Sequence, residues 1–388
     1  MIRFDTMSAA DRLLDAARDL DPVRPASGER GSLYVTPPDG GLHGWITSQS
    51  AREPQSHLLA LGGIGSGKTT ELLRAQDALR ASRKFHAWHL PLDACFDLGS
   101  LDQSRLLTLA GLAMLKALSA RGEPIVGSLR DIAVRLHAFL RPDRSPPPAL
   151  ALPDFLMHRA LAPAITTVDL LAELAPLTER WRAQGTARDP IVLLVDALDR
   201  RPFEDYLDVT REDLPRLRDL GIAVVIVGNL EWRHGLTPDL DASLHGIRMQ
   251  PLYDPTLSQN AAFLREVIER RAPGLFSEEV AAALVQASGG AMRDLLHIAR
   301  ETAYETRERG EEVPSFEALG HVLALMRASR LALLDNDEWE ALAKLRLGKP
   351  PSSALSDRLQ ARGCAVLRGR TVQVHPLFSW AGKQSHAA

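Results

Sequence analysis

The sequence predicts an α/β fold, with a parallel five-stranded sheet in its first two thirds and mainly helical structure after it. Short, wholly apolar runs are typical of strands that are buried on both faces of a parallel sheet. Longer segments with apolar residues at helical spacing separate these runs. Strands that alternate with helices in this way predict parallel strands joined by helical crossovers. The chain has 388 residues, 45% of them hydrophobic, which is enough for two or three compact domains.

A glycine-rich segment follows the first apolar run, His57 to Leu61, and precedes a segment of helical spacing, Glu71 to Leu79. Residues 62–69 read Gly-Gly-Ile-Gly-Ser-Gly-Lys-Thr and fit G-x-x-x-x-G-K-[ST], the phosphate-binding P-loop. A strand, a glycine loop and a helix in this order direct backbone N–H groups and a helix N-terminus at one point. The sequence therefore predicts a nucleoside triphosphate site with Mg²⁺.

The P-loop residues are expected to act as a set. Lys68 would place its charge on the β- and γ-phosphates, and the Thr69 hydroxyl would ligate Mg²⁺. A glycine-rich turn with a stray lysine is the alternative, but the chain has 6 lysines against 40 arginines, which disfavours a chance lysine here. The predicted nucleotide-binding residues of this segment are Gly62, Gly63, Ile64, Gly65, Ser66, Gly67, Lys68, Thr69 and Thr70.

The remaining elements of the first part follow in chain order. Residues 8–20 have the spacing of an amphipathic helix, and residues 31–56 are expected to be a loop-rich approach to the first strand. Residues 86–90 predict the second strand. Further helices are expected at about 101–120, 127–140 and 153–184, with a proline-rich surface loop at 141–148.

A carboxylate ends the next apolar run, residues 191–195. Asp196 is predicted to bind Mg²⁺, on the expectation that this strand lies beside the P-loop strand. A strand that merely ends in Asp before a turn is the structural alternative. Asp199, a little further on, is a candidate for polarising the attacking water, or else a solvated helix N-cap.

A further apolar run, residues 222–227, ends in Gly228 and Asn229. Asn229 could hydrogen-bond the attacking water or the γ-phosphate, or it could simply form a turn. Residues 245–251 predict a fifth strand. Parallel strands of this kind place a nucleotide at the carboxyl edge of the sheet.

The second half of the chain is helical. Helices are expected at 261–271 and 277–288, and a further one begins after Gly289 and Gly290. Residues 314–382 predict three helical segments, followed by two short strands around a glycine turn at 365–376. Helices followed by a two-stranded wing suggest a winged-helix module.

Together these motifs resemble the AAA+/STAND division of P-loop ATPases. The resemblance covers about residues 30–380 and implies ATP as the nucleotide. It also implies an N-terminal extension (1–30), an ATPase core (31–255), a helical lid (256–312) and a winged-helix domain (313–388). Residues 289–295 resemble the sensor 2 element, in which Arg293 would reach the γ-phosphate. A surface arginine on an amphipathic helix is the alternative for Arg293.

Two departures from the AAA+ pattern favour a switch over a motor. Ala197 stands where these enzymes usually carry Glu, so that Asp199 must act as the base or hydrolysis is slow. Residues 235–242 hold no arginine finger, and Arg233 is the nearest substitute. The resemblance thus implies a slow ATPase switch in bacterial signalling or antiphage defence, which forms a homo-oligomer on ATP binding and acts on a separate effector protein.

A nucleic-acid-associated ATPase, such as an initiator, a loader or a transposition regulator, is the competing class. Residues 339–388 hold 8 basic residues against 2 acidic ones, a charge of +6, and Arg368 and Arg370 flank the wing glycine. These arginines could bind DNA phosphates, or they could form a solvated face or contact an acidic partner. A regulatory scaffold that only holds ATP is a third possibility.

Composition sets the remaining limits. The net charge of −3 argues against a globally basic nucleic-acid binder. Cys95 and Cys364 fit no disulfide or metal pattern, which indicates a reducing compartment. Because no apolar stretch reaches 18 residues and no signal-peptide core is found, we expect a cytoplasmic protein without membrane contact.

Overall fold

A computed structural model of the chain describes residues 8–63, 65–95, 105–139, 167–183, 190–198, 207–236, 243–368 and 371–379. The chain divides into two compact units. The first, here called the sheet unit, comprises Leu42–Leu61 and Glu71–Met249. The second, here called the helical unit, comprises Met1–Gly41, Gly62–Thr70 and Gln250–Ala388. The P-loop therefore belongs to the same unit as the C-terminal helices.

Five strands form one parallel sheet, in the order β2-β3-β4-β1-β5. Strands β1, β3 and β4 consist mainly of buried apolar residues, as a sheet covered on both faces requires, and half of the β2 residues are buried. This sheet and the helices around it confirm the predicted α/β fold class. The strands are β1 His57–Gly62, β2 His86–Pro91, β3 Ile191–Asp196, β4 Ile222–Gly228 and β5 Gly246–Gln250.

The predicted neighbour of β1 was wrong. Strand β3 pairs with β2 and β4, and β4 lies between β3 and β1. Apolar runs of this kind mark buried strands, but they do not encode which strand lies next to which. Asp196 therefore lies one strand further from β1 than predicted. It is still at the carboxyl edge of the sheet, where β1 also ends.

Helices cover both faces of the sheet unit. One face carries Leu193 and Ile226 and packs against four helices between residues 105 and 219, whereas the other carries Leu194 and Val225 and packs against the helices at 41–52 and 68–81. These helices, with two short ones, are α2 Gly41–Arg52, α3 Lys68–Ala81, α4 Leu92–Cys95, α5 Arg105–Ala120, α6 Ser128–Phe139, α7 Thr167–Ala183, α8 Leu207–Asp219 and α9 Trp232–Gly235. The predicted loop at 141–148, and residues 153–166 of the predicted helix 153–184, lie outside the described residues.

Helix α2 occupies a region that the sequence predicts as loop. Its glycines and short polar residues are poor helix formers, so local propensity did not indicate it. Leu42 and Ile46 nevertheless share one side of the helix and are fully buried in the sheet unit. The backbone N–H of His43, in the first turn, donates to Glu71 Oε2 at 3.0 Å. A carboxylate 28 residues away thus caps this helix, and tertiary packing stabilises it.

The helical unit begins with α1 Ala9–Asp19, which confirms the predicted amphipathic helix. Leu13 and Ala17 of α1 pack against Ala303. A 3₁₀ helix, Gly28–Leu33, follows. The later elements are α10 Ser258–Arg271, α11 Glu278–Ala287, α12 Met292–Glu308, α13 Phe316–Leu331, α14 Asn336–Arg346, α15 Ser353–Ala361, β6 Ala365–Arg368, β7 Thr371–Val374 and α16 Pro376–Ser379.

Five helices of this unit start with a side-chain cap that local capping rules predict. The side chains of Ser8, Ser277, Ser315 and Ser352 each accept a backbone N–H of the first turn that follows them. Asp335 forms a capping box with Glu338.

The three helices and two strands expected in residues 314–382 are present, and β6 and β7 pair in the antiparallel sense. The winged-helix assignment and the four domain boundaries stay predictions. No helix in the described part of the chain is both long and apolar enough to cross a membrane.

Candidate nucleotide-binding site

The P-loop joins the end of β1 at Gly62 to the start of α3 at Lys68. Gly65 and Gly67 have φ angles of +84° and +90°. An L-residue pays a steric cost in this left-handed region, whereas glycine does not. The two glycines therefore allow a tight wrap of the backbone that ends at a helix N-terminus, which is the local geometry of an anion site.

Lys68 is buried within this loop, with 5% of its surface exposed. Its Nζ donates hydrogen bonds to the carbonyl oxygens of Gly62, at 2.8 Å, and Gly63, at 2.9 Å. A buried ammonium is costly unless it is paired or well hydrogen-bonded. An anion in the loop would bring a full negative charge, which carbonyl groups supply only in part.

Ser66 gives a second sign that the loop is built for a polar ligand. The side chain is 1% exposed, and its Oγ has no hydrogen-bond partner among the described residues. Buried hydroxyls are nearly always hydrogen-bonded, and an orphan of this kind calls for an explanation. A phosphate oxygen in the loop would provide the missing acceptor.

Thr69 and Thr70 lie in the first turn of α3. Thr69 is exposed and Thr70 is half-buried. The Thr69 hydroxyl can therefore reach a ligand in front of the helix. The described residues hold no group of three or more His, Cys, Asp or Glu side chains that could bind a metal ion. A metal here would need phosphate oxygens and water to complete its shell.

The start of α12 lies against the P-loop. The backbone N–H of Arg293 donates to the carbonyl oxygen of Gly65 at 3.2 Å. A Cβ atom on Gly65 would come within 2.7 Å of the Arg293 Cβ, so glycine is required for this approach. The structure thus places the backbone of Arg293, which was predicted from the resemblance to a sensor 2 element, beside the P-loop.

Gly290, the second of the two glycines that precede α12, is required by both its backbone conformation and its packing. Gly290 has a φ angle of +89°, and its carbonyl oxygen accepts the backbone N–H of Tyr253 at 3.1 Å. A side chain at this position would overlap the Tyr253 backbone. The turn before α12 is therefore fixed by close backbone packing.

A buried ionic cluster follows directly. Asp294, next to Arg293, accepts a hydrogen bond from the Arg330 guanidinium at 2.5 Å, and His375 Nε2 lies 3.4 Å from its other oxygen. Arg330 also donates to the carbonyl oxygen of Gly363, and His375 Nε2 lies 3.0 Å from that of Ser288. Burial raises the pKa of Asp294, but the His375 hydrogen bond and the Arg330 charge outweigh it and hold the pKa at about 2. Sequence analysis missed this cluster, since only the fold joins its members.

In the sheet unit, Asp196 ends β3 and is 5% exposed. Its Oδ2 accepts a hydrogen bond from His89 Nε2 at 3.0 Å, and its Oδ1 accepts the backbone N–H of Ala197 at 2.8 Å. Ala197 has a φ angle of +71°, which is uncommon for a residue with a side chain. Sequence analysis also missed His89, although a polar residue near the end of a predicted strand is an available signal.

The remaining predicted site residues are Asn229, Arg233, Ile64 and Asp199. Asn229 follows β4, and its Oδ1 accepts the backbone N–H of Trp232 at 3.2 Å, so the side-chain carbonyl caps α9. Its amide N–H groups could then donate to a phosphate or a water, and the second lone pair of Oδ1 could accept from a water. Arg233 is exposed on α9. Ile64 and Asp199 lie outside the described residues.

The basic C-terminal residues face local carboxylates. Of the eight, Arg370 and Lys383 lie outside the described residues, which leaves six. Four of these six pair with acidic residues. Three of those acidic residues lie before residue 339, outside the segment whose charge was counted as +6. The pairs are Lys344 with Glu340, Arg358 with Asp335 and Glu338, Arg362 with Glu338, and Arg368 with Asp254.

Comparison with known proteins gives structural matches only. No protein-family model matches the chain, and no curated protein matches its sequence. A structure of Drosophila ORC bound to DNA has a TM-score of 0.49 at 15% identity, over 93% of this chain and 79% of that one. The Aeropyrum pernix ORC1 protein in complex with DNA gives 0.44 at 17% identity, over 88% and 90%.

The Thermotoga maritima RuvB Holliday junction branch migration motor gives a TM-score of 0.42 at 14% identity, over 88% of this chain and 95% of that one. Because identities and scores are both low, we base no argument on these similarities. The fold class stands on the sheet and the helices of this chain itself.

Proposed function

We propose that this chain binds ATP with Mg²⁺ and hydrolyses it slowly, as a molecular switch. The observation that carries the proposal is the P-loop, in which Lys68 is buried against two loop carbonyls and the Ser66 hydroxyl is buried without a partner among the described residues. A triphosphate would suit both groups, since it brings negative charge and acceptor oxygens to the N-terminus of α3.

Thr69 and Asp196 are the residues that we propose for Mg²⁺. An exposed hydroxyl at the start of α3 and a carboxylate at the carboxyl end of β3 are ligand types that Mg²⁺ takes. Asp196 shares a sheet face with Leu194, and that face packs against α3. Thr69 and Asp196 would hold the Mg²⁺, which would supply positive charge to offset the negative charge of the phosphates.

Ala197, the residue after Asp196, is the reason that we propose slow ATP turnover. Ala197 has no group that can accept a proton, and its backbone N–H is committed to the Asp196 carboxylate. The role of base therefore falls to Asp199, with Asn229 and Arg233 as candidates for contacts to water or phosphate. A weakly activated water fits a protein that holds its nucleotide for a long time.

Arg293 is the proposed link between nucleotide and conformation. Its backbone is tied to Gly65, so its side chain starts beside the phosphate loop. A contact to the γ-phosphate would distinguish ATP from ADP at the start of α12. We place this switch in bacterial signalling or antiphage defence, with ATP-dependent homo-oligomerisation and a separate effector protein, as the AAA+/STAND resemblance implies.

The charge pattern of the C-terminal region supports a switch over a DNA-binding ATPase. Arg358, Arg362 and Arg368 each have a carboxylate within 4 Å, which lowers the net positive charge available to phosphates. We therefore assign this region to contacts within the protein or with a protein partner.

The experiment that tests nucleotide binding is a titration of Lys68→Ala with ATP and Mg²⁺. We expect affinity to fall about 100-fold or more, because charge-assisted hydrogen bonds to the phosphates are lost. Lys84→Ala is the matched control, since Lys84 is an exposed lysine shortly after α3. Isothermal calorimetry measures the affinity, and a thermal melt checks the fold. Equal affinity in wild type and Lys68→Ala would overturn the assignment.

A further inference from the structure

His89 holds the carboxylate that we assign to the metal. His89 Nε2 lies 3.0 Å from Asp196 Oδ2, and both side chains are largely buried. A carboxylate oxygen can only accept, so the imidazole is the donor. The sheet register explains the meeting: His89 is opposite Leu194 and Pro91 is opposite Asp196, so that these four residues share one face.

The second carboxylate oxygen is held by the main chain. The N–H of Ala197 donates to Asp196 Oδ1 at 2.8 Å, and Ala197 itself has a left-handed φ of +71°. Non-glycine residues occupy such conformations where the surroundings impose them, often at functional sites. The two donors bind different oxygens of the carboxylate and hold it in one orientation.

We propose that His89 is a positioning residue for Mg²⁺ binding: it orients the Asp196 carboxylate toward the metal that accompanies ATP. The inference rests on the proposed function. A carboxylate oxygen has two lone pairs, so it can accept from His89 and still take a metal or a metal-bound water. Groups that orient a ligand in this way commonly change metal affinity by about 10- to 100-fold when they are removed.

The test compares His89→Leu and His89→Gln with wild type. Leucine fills the space without a donor, whereas the Gln amide nitrogen reaches about as far as Nε2. Binding of Mn²⁺ to the protein–ATP complex is measured by the electron paramagnetic resonance signal of free Mn²⁺, and the Mg²⁺ dependence of ATP turnover is measured beside it. His86→Leu is the control, because His86 lies on β2 at a distance from Asp196 along the strand.

We expect His89→Leu to weaken Mn²⁺ binding about tenfold or more, to raise the Mg²⁺ requirement equally and to leave ATP binding in EDTA unchanged. His89→Gln and His86→Leu should stay close to wild type. In an Asp196→Asn background, His89→Leu should add less than about twofold, since the two residues act through one group. If His89→Leu does not fold, His89→Asn serves instead, because its shorter amide cannot reach Asp196.

Two results separate the possible failures. A wild-type protein that binds ATP no better with Mn²⁺ or Mg²⁺ than in EDTA contradicts the metal part of the proposed function. A wild type that shows metal dependence, together with a His89→Leu protein of equal Mn²⁺ affinity, overturns the positioning role alone. Equal losses in His89→Leu and His89→Gln overturn it as well, because the donor would then not be the cause.

Discussion

Gly290 lies where the backbone leaves no room for a side chain. An alanine Cβ at this position would overlap the carbonyl oxygen of Tyr253 and lie 2.6 Å from its carbonyl carbon. The φ angle of +89° adds the cost of a left-handed residue. Two separate penalties thus act on the turn that leads into α12 and Arg293.

We expect Gly290→Ala to lower the free energy of unfolding by about 2–4 kcal/mol, the sum of overpacking and left-handed strain. Gly274→Ala is the matched control, since Gly274 has a φ of +64° and no atom lies within 4 Å of the point that an alanine Cβ would occupy. The free energy of unfolding of that variant should fall by only about 1 kcal/mol. Urea unfolding measures both, and equal losses would mean that the Tyr253 contact does not limit position 290.

The start of α12 depends on an ion pair that spans two helices. Arg330 near the end of α13 donates to Asp294 in the first turn of α12, and Asp294 lies next to Arg293. Removing one partner of a buried pair is costly because the other charge stays buried. The cluster therefore fixes the helix end that carries the proposed sensor.

Arg330→Met should lower the free energy of unfolding by about 3–5 kcal/mol at neutral pH. Because the pKa of Asp294 is depressed to about 2, this stability is present above about pH 4 and is lost as the pH falls through 2. The difference between wild type and Arg330→Met should accordingly shrink as the pH falls from about 4 to about 2. Denaturant unfolding at several pH values measures it.

Arg18→Met is the control for this pair, since Arg18 and Asp15 form an ion pair that is well exposed to solvent. Exposed pairs contribute about 0–1 kcal/mol. A loss as small for Arg330→Met as for Arg18→Met would show that the buried cluster does not stabilise α12.

At the scale of the whole molecule, the proposal concerns a change of assembly with nucleotide. We expect sedimentation velocity to show a larger species with Mg²⁺ and a non-hydrolysable ATP analogue than with ADP, because only the triphosphate can offer a γ-phosphate to Arg293. Arg293→Ala should bind the analogue but sediment as the ADP form does. Lys84→Ala again serves as the control.

An identical monomer in both nucleotide states would count against the switch. If the same protein then bound duplex DNA at about 50 mM salt, with an affinity that falls by about 0.9 log units per log unit of salt for each phosphate contact, the nucleic-acid class would be the better assignment. Arg368→Ala with Arg370→Ala should in that case lower the salt slope without changing ATP binding.

The P-loop was predictable from sequence because its geometry is local. Gly65 and Gly67 have the positive φ angles that the motif requires, and the apolar run before them forms a buried strand. Runs 191–195 and 222–227 likewise became strands β3 and β4, since a wholly apolar segment of that length has few other stable places. In each case, the residues that decide the structure lie within a few positions of one another.

Tertiary structure alone decided how these pieces meet. His89 and Asp196 are 107 residues apart, and their contact depends on β2 and β3 being neighbours, which neither strand encodes by itself. The helix at residues 41–52 was missed because a distant carboxylate, Glu71, caps it. The order of strands and the partners of buried charges depend on long-range packing, so the sequence determined the local geometry of the glycine-rich loop, whereas the fold determined which side chains contact Asp196 and Asp294.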